Sequence, residues 1–145
     1  MHFLCRLAQM MFMLPFFALM AEEGAKINPR ALHLDVTSAG KKYIYEVTYE
    51  QCGITTWDGE GEPPLSLGAA LVIARKGLVE IYKEDRNRVL NRISIIPIGD
   101  SGKWIYLMEY GQPKGVSAGW WSPLPVLVTF DGSVVKPSKV EQINP

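Results

Sequence analysis

The sequence predicts an α+β fold, in which an antiparallel β-sheet of hairpins is covered on one face by a single main helix, in the order β-β-α-β-β-β-β and in two layers. Two observations carry this. Several segments alternate apolar with polar residues and are joined in pairs by short turns rich in Gly, Asp or Ser. Only one segment, after Ser66, repeats apolar residues at spacings of three and four.

The first hairpin begins near Ala31. Leu32, Leu34 and Val36 alternate with His33 and Asp35, and a turn at Ser38-Ala39-Gly40-Lys41 reverses the chain. Tyr43, Tyr45, Val47 and Tyr49 then take one face, with Ile44, Glu46, Thr48 and Glu50 on the other, so one face packs and one is largely wet. From Gln51 to Pro64 the period is lost, and Gly53, Asp58-Gly59, Gly61 and Pro63-Pro64 mark a connection.

Ser66 is placed to cap a helix whose inner stripe is Leu67, Ala70, Leu71, Ala74, Leu78 and Ile81. Gly68 and Gly77 weaken it by up to about 1 kcal/mol each relative to alanine. Gly77 therefore either ends the helix early or lets a strand come close. Val89 to Ile98 and Lys103 to Gly111 form the second hairpin, turning at Gly99 to Gly102. Pro97 has no N–H for a ladder, which assigns its strand to an edge or a bulge. After a Gln112 to Pro123 loop, the last hairpin runs from Leu124 to Phe130, turns at Asp131-Gly132 and returns from Ser133 to Lys136.

Residues 1–21 divide as an export signal divides. Arg6 supplies the positive charge, Leu7 to Met20 are apolar and fewer than the roughly 18 to 20 residues that span a bilayer, and small Ala21 precedes Glu22-Glu23. Cleavage is expected after Ala21, with Ala18 and Gly24 as alternative points, and the mature domain is expected outside the cytoplasm, periplasmic or extracellular. Residues 22–30 read as a flexible lead-in, 31–137 as one α+β domain and 138–145 as a polar tail. Removing 21 of the 145 residues leaves 124, one domain's worth of chain with no membrane span. Fourteen basic residues then face fifteen acidic ones, a balance that does not favour nucleic acid or an anionic membrane.

Little chemistry is legible in what remains. Cys52 is the one mature cysteine, so no intramolecular disulfide can form, and it reads as a buried thiol or as one that pairs with a partner. His33 is the one mature histidine, which leaves multi-histidine metal sites and Ser-His-Asp sites incomplete; a Cys52-His33 pair has nothing in the sequence to orient it. Asp58-Gly-Glu-Gly-Glu62 offers carboxylates at alternate positions but lacks the closing bidentate glutamate of a calcium loop. The glycine-bearing turns contain no Gly-Lys-Ser/Thr and open no helix, so they are not phosphate loops. No catalytic residue, metal ligand or cofactor site is assigned.

Trp120-Trp121 lies in the long Gly/Pro loop, and neighbours entering a strand point to opposite faces, so one is expected in the core and one outside. With Trp57 they are the candidate contact residues for a protein, peptide or sugar. The competing reading has them seal the end of a small core.

Three segments also resemble a PepSY-type domain, a small α+β module of exported bacterial proteins and protease propeptides. They are the helix opening Leu65-Ser-Leu-Gly-Ala-Ala-Leu-Val-Ile-Ala74, the strand Lys103-Trp-Ile-Tyr-Leu-Met-Glu-Tyr110, and the closing Val126-Leu-Val-Thr-Phe-Asp-Gly-Ser-Val-Val135, within residues 64–136. Gly68 stands where that family commonly has an acidic residue, and the N-terminal hairpin has no counterpart in the basic module. The resemblance implies a non-catalytic module that binds or restrains another exported protein, and carries over no functional residue. The expected function is a non-enzymatic binding or interaction module with an extracytoplasmic protein or peptide as partner. The alternative is a small-molecule or lipid carrier with an apolar cavity between helix and sheet.

Overall fold

A computed structural model of the chain describes residues 30–83, 87–113 and 122–143. The class is the expected one, α+β with one helix among the described residues and with antiparallel strand pairing throughout. The strands β1 (Arg30–Ser38), β2 (Lys41–Thr48), β3 (Arg88–Ile98), β4 (Lys103–Pro113), β5 (Leu124–Thr129), β6 (Val134–Val135) and β7 (Lys139–Gln142) surround one helix, α1 (Leu67–Tyr82). They divide into two sheets, ordered β1-β2-β7 and β3-β4-β5-β6. β4 and β6 occupy the two edges of β5, and β2 pairs with the returning chain end.

That chain end is the segment read as a polar tail. Its side chains carry no inward alternation, yet its backbone is held: Ser138 N–H donates to the Ile44 carbonyl at 2.8 Å, and Ile143 N–H to the Gly40 carbonyl at 2.8 Å. Pairing onto an open edge is a backbone transaction that needs no apolar pattern.

The first hairpin closes through a two-residue turn in which Ala39 and Gly40 both have positive φ, 49° and 70°, as the twist of a tight hairpin requires. Ser66 caps α1, its hydroxyl accepting from Ala69 N–H at 3.3 Å. The helix runs through Gly77 and ends at Tyr82, with Lys83 in the left-handed region. Pro97 lies on β3, an edge strand, as its missing donor demands.

All six residues of β5 are buried. Val126 meets α1 beside Gly77, so the even-numbered residues of β5 face the helix and the odd-numbered ones the opposite side. On that opposite side Pro125 and Leu107 share a groove with Leu34 and Val36 of β1, which is how the three-stranded sheet comes against the helix-covered one. A single core joins Tyr43, Tyr45 and Val47 of the first sheet to Ala70, Ala74, Leu78 and Tyr82 of α1 and to Met108, Tyr110 and Leu127 of the second.

The connection after β2 is fastened by one carboxylate. Asp131, in the β5–β6 turn, accepts from Ile54 N–H at 2.7 Å, from Thr55 N–H at 3.2 Å and from the Thr55 hydroxyl. Gly53 packs so closely on this carboxylate, at φ 76°, that a side chain there would collide with it. The Thr55 hydroxyl, followed by the two N–H groups, holds the Asp131 carboxyl below its ordinary value of 3.8. A lowered carboxyl stabilises the fold above its unfolded value and loses that contribution as pH falls through the folded one. Asp131→Ala is therefore expected to cost about 1 kcal/mol near neutral pH. The gap from wild type should narrow as pH is taken below 3.8, as urea midpoints at neutral and acid pH will show; equal gaps would count against it.

Candidate binding site

The sequence-derived candidates resolve into structural roles before any site is found. Trp57 is half-buried: its ring meets Trp104 edge-on at 5.1 Å and Phe130 at 5.7 Å, its Nε1 donates to the Glu60 carbonyl at 2.7 Å, and its own carbonyl accepts from Trp104 Nε1 at 2.8 Å. These contacts seat the connection on the second sheet. Trp120 and Trp121 lie outside the described residues, which resume at Ser122.

His33 and Cys52 are not brought together. His33 points outward from β1 beside Glu46, with 4.0 Å between Nδ1 and the nearer carboxylate oxygen. Cys52 is fully buried in the core, where its thiol donates to the Thr48 carbonyl at 3.2 Å and burial pushes its pKa up, the opposite of a nucleophile's requirement. Asp58 spends its carboxylate on Glu60 N–H at 2.9 Å, and among the described residues no three His, Cys, Asp or Glu side chains gather as metal ligands.

The interior polar groups are structural as well. Tyr82 donates to the Pro125 carbonyl at 2.7 Å, so the 2.8 Å contact between the Tyr45 and Tyr82 hydroxyls is a bond in which Tyr45 donates. Burial pushes Tyr45 up to about 12 and Tyr82 higher still, so both phenols are neutral near neutral pH. Arg88 is buried, with 2% exposure, and donates to the Gly111 carbonyl at 3.3 Å; Arg75 donates to the Arg88 carbonyl at 2.6 Å and lies 4.8 Å above the Tyr110 ring. These bonds tie α1 to the β3–β4 end.

The apolar cavity that a carrier needs between helix and sheet is filled among the described residues. Ala70, Ala74 and Leu78 have no exposed surface, and a Cβ at Gly77 would come within 2.9 Å of Val134.

One open space lies between the two sheets, as a groove of about 510 Å³, and another of about 520 Å³ lies along Val72, Arg75, Lys76, Val79 and Glu80 of α1. The groove's walls are Leu34 to Thr37 of β1 with Lys42 of β2 on one side, and Leu107, Glu109 and Pro125 on the other, with Ser122 and Pro123 at one end. Four consecutive residues of an extended strand line it. Successive side chains point to opposite faces, so four in a row meet one groove only if the strand's edge forms the wall.

The hydrogen-bond parity agrees. Because Gly40 accepts from Ile143, the even-numbered residues of β2 turn their backbone groups toward β7 and the odd-numbered ones toward β1. Their partners on β1 are Leu32, Leu34, Val36 and Ser38. His33, Asp35 and Thr37 therefore turn N–H and C=O away from β2, along the outer edge of β1, which is the last strand of its sheet among the described residues. Beside this edge, Asp35 pairs with Lys42 at 2.8 Å, which lowers the Asp35 carboxyl, and Glu109 lies 3.5 Å from Arg92.

Sequence reasoning placed the contact surface on tryptophans and did not find this edge. The signal that could have found it is the hairpin's own parity, which assigns the outward backbone groups of β1 once the two-residue turn is recognised.

No described helix is long and apolar enough to cross a membrane. Comparison with protein-family models finds no match, and comparisons with curated proteins and with solved structures find none either, so the likeness to PepSY-type modules rests on its three sequence segments alone.

Proposed function

We propose that the chain is an exported, non-enzymatic binding module that takes an extended segment of another polypeptide as an added strand on the outer edge of β1. The observation that carries this reading is the groove wall of four consecutive β1 residues, Leu34 to Thr37. Main-chain hydrogen bonds to His33, Asp35 and Thr37 supply affinity in such a mode, and the apolar floor at Leu107 and Pro125 supplies selectivity. Export is supported by the charge, apolar run and small residue of residues 1–21. Restraint of an exported partner, the role of PepSY-type modules, is compatible with a strand-addition edge.

The test is Thr37→Pro. Proline removes an outward N–H and sets its ring against the incoming strand, while the bonds from Leu34 and Val36 to β2 are untouched. Peptides selected from a random library on the wild-type chain are expected to bind this variant at least tenfold more weakly, with its melting temperature within a few degrees of wild type. Equal binding by the two proteins sinks the proposal.

A further inference from the structure

We infer that the occupant of the β1 edge is a net-basic extended segment, with apolar residues at alternate positions and cationic ones between them. This inference rests on the strand-addition reading and adds the chemistry of the partner. Its first half follows from the pleat. Residues of an added strand opposite Leu34 and Val36 point to the same side as those two, over Leu107 and Pro125, where only apolar side chains are desolvated without loss.

The second half follows from the charges. Residues opposite Asp35 point to its side of the sheet, and cross-strand neighbours lie close enough for opposite charges to attract and like charges to repel. Asp35 is still 48% exposed while paired to Lys42, so one carboxylate face remains open to the incoming strand. Across the groove Glu109 adds a second carboxylate, 24% exposed, whose arginine partner Arg92 is itself 71% exposed and points to solvent. Among the described lining residues two carboxylates stand against one ammonium, that of Lys42, with one carboxylate on each side of the strand's path. A cationic strand is favoured by both and an anionic strand is repelled by both.

The parity also fixes which amides must stay free. The residue opposite Asp35 exchanges its N–H and C=O with that residue, so the cationic positions donate to β1 and the apolar ones face away. A capped hexapeptide alternating valine and lysine, N-methylated at its valines, thus keeps one competent edge and cannot assemble with itself. Its glutamate and threonine counterparts, and a control methylated at the lysines, complete the set.

Titration into the ¹⁵N-labelled mature protein should shift the amides of His33, Asp35 and Thr37. Affinity should fall from lysine through threonine to glutamate, by at least tenfold between the extremes at low salt, and the spread should narrow in Glu109→Gln and at high salt. Equal affinities of the three peptides, with those amides shifted, overturn the basic partner and leave strand addition standing. Equal binding of the lysine-methylated control, or no shift of those amides with any peptide at millimolar concentration, overturns strand addition itself.

Discussion

Tyr82→Phe is expected to lower stability by about 3 kcal/mol, although it removes one oxygen atom and leaves the ring in place. Tyr82 stands at the end of α1 in the middle of a buried chain of two bonds, from Tyr45 to Tyr82 and from Tyr82 to the Pro125 carbonyl. That chain joins β2, α1 and β5, hence both sheets and the helix. Without the hydroxyl, the Tyr45 O–H loses its acceptor inside the core, and the Pro125 carbonyl loses its side-chain donor. Each such buried group costs about 1–3 kcal/mol. For a domain of this size the melting temperature should drop by roughly 15 °C.

Tyr45→Phe is the internal control. It deletes the terminal donor and leaves Tyr82 bonded to Pro125, so it should cost only about 1 kcal/mol. The double variant should cost less than the two single changes combined, because the Tyr45 hydroxyl is then no longer stranded. The pH dependence has a definite sign. Burial raises Tyr45 from 10.0 to about 12 and raises Tyr82 further, so the folded state holds these protons where the unfolded chain releases them. Their stabilisation is complete below pH 10 and is lost as pH climbs toward 12, and the slope over that interval should be shallower in Tyr82→Phe. Urea unfolding of the three variants near neutral pH checks the ranking; equal costs for Tyr45→Phe and Tyr82→Phe would falsify the relay.

What the sequence made legible was whatever each residue decides locally. Ser66 caps the helix because its hydroxyl serves the next turn, and Pro97 sits on an edge because it has no N–H. The alternation of Tyr43, Tyr45 and Val47 gave the buried face of β2, and all three are buried. Leu67 was counted in the helix stripe yet is 44% exposed, whereas Ala70, three residues on, is fully buried. Tyr82 was missed for the converse reason: it lies one turn past Leu78 on the inner face, and only the arrival of Tyr45 and Pro125 from elsewhere in the chain gives its hydroxyl a purpose.

The groove was illegible for a deeper reason. Its selective surface is the backbone of His33, Asp35 and Thr37 facing Leu107 and Pro125, 70 or more residues further along the chain. A backbone edge leaves no trace in side-chain periodicity. The same blindness hid β7, which joins β2 by main-chain bonds while its side chains stay mostly exposed.

Gly77 is where the helix and the second sheet set their separation, and substitution there is the second large effect expected. A Cβ built on it would stand 2.9 Å and 3.0 Å from the two methyls of Val134 and 3.2 Å from Val126 Cγ1. Neither neighbour gives way easily, since both are β-branched and fixed in paired strands, with Val126 fully buried. Gly77→Ala therefore gains about 1 kcal/mol of helix propensity and loses more than that to overpacking, for a net cost of about 1–2 kcal/mol. Gly77→Leu should cost about 3 kcal/mol or more, since three further carbons must enter the same contact.

The sign reverses when the obstacle is removed. In a Val134→Ala background both close methyls are gone, so adding the alanine methyl at position 77 should be neutral or stabilising by up to about 1 kcal/mol, leaving a coupling of about 2 kcal/mol between the two sites. A double-mutant cycle by urea denaturation measures it. If Gly77→Ala costs the same in both backgrounds, the helix is not held at its distance by Val134, and the obstacle is Val126 instead.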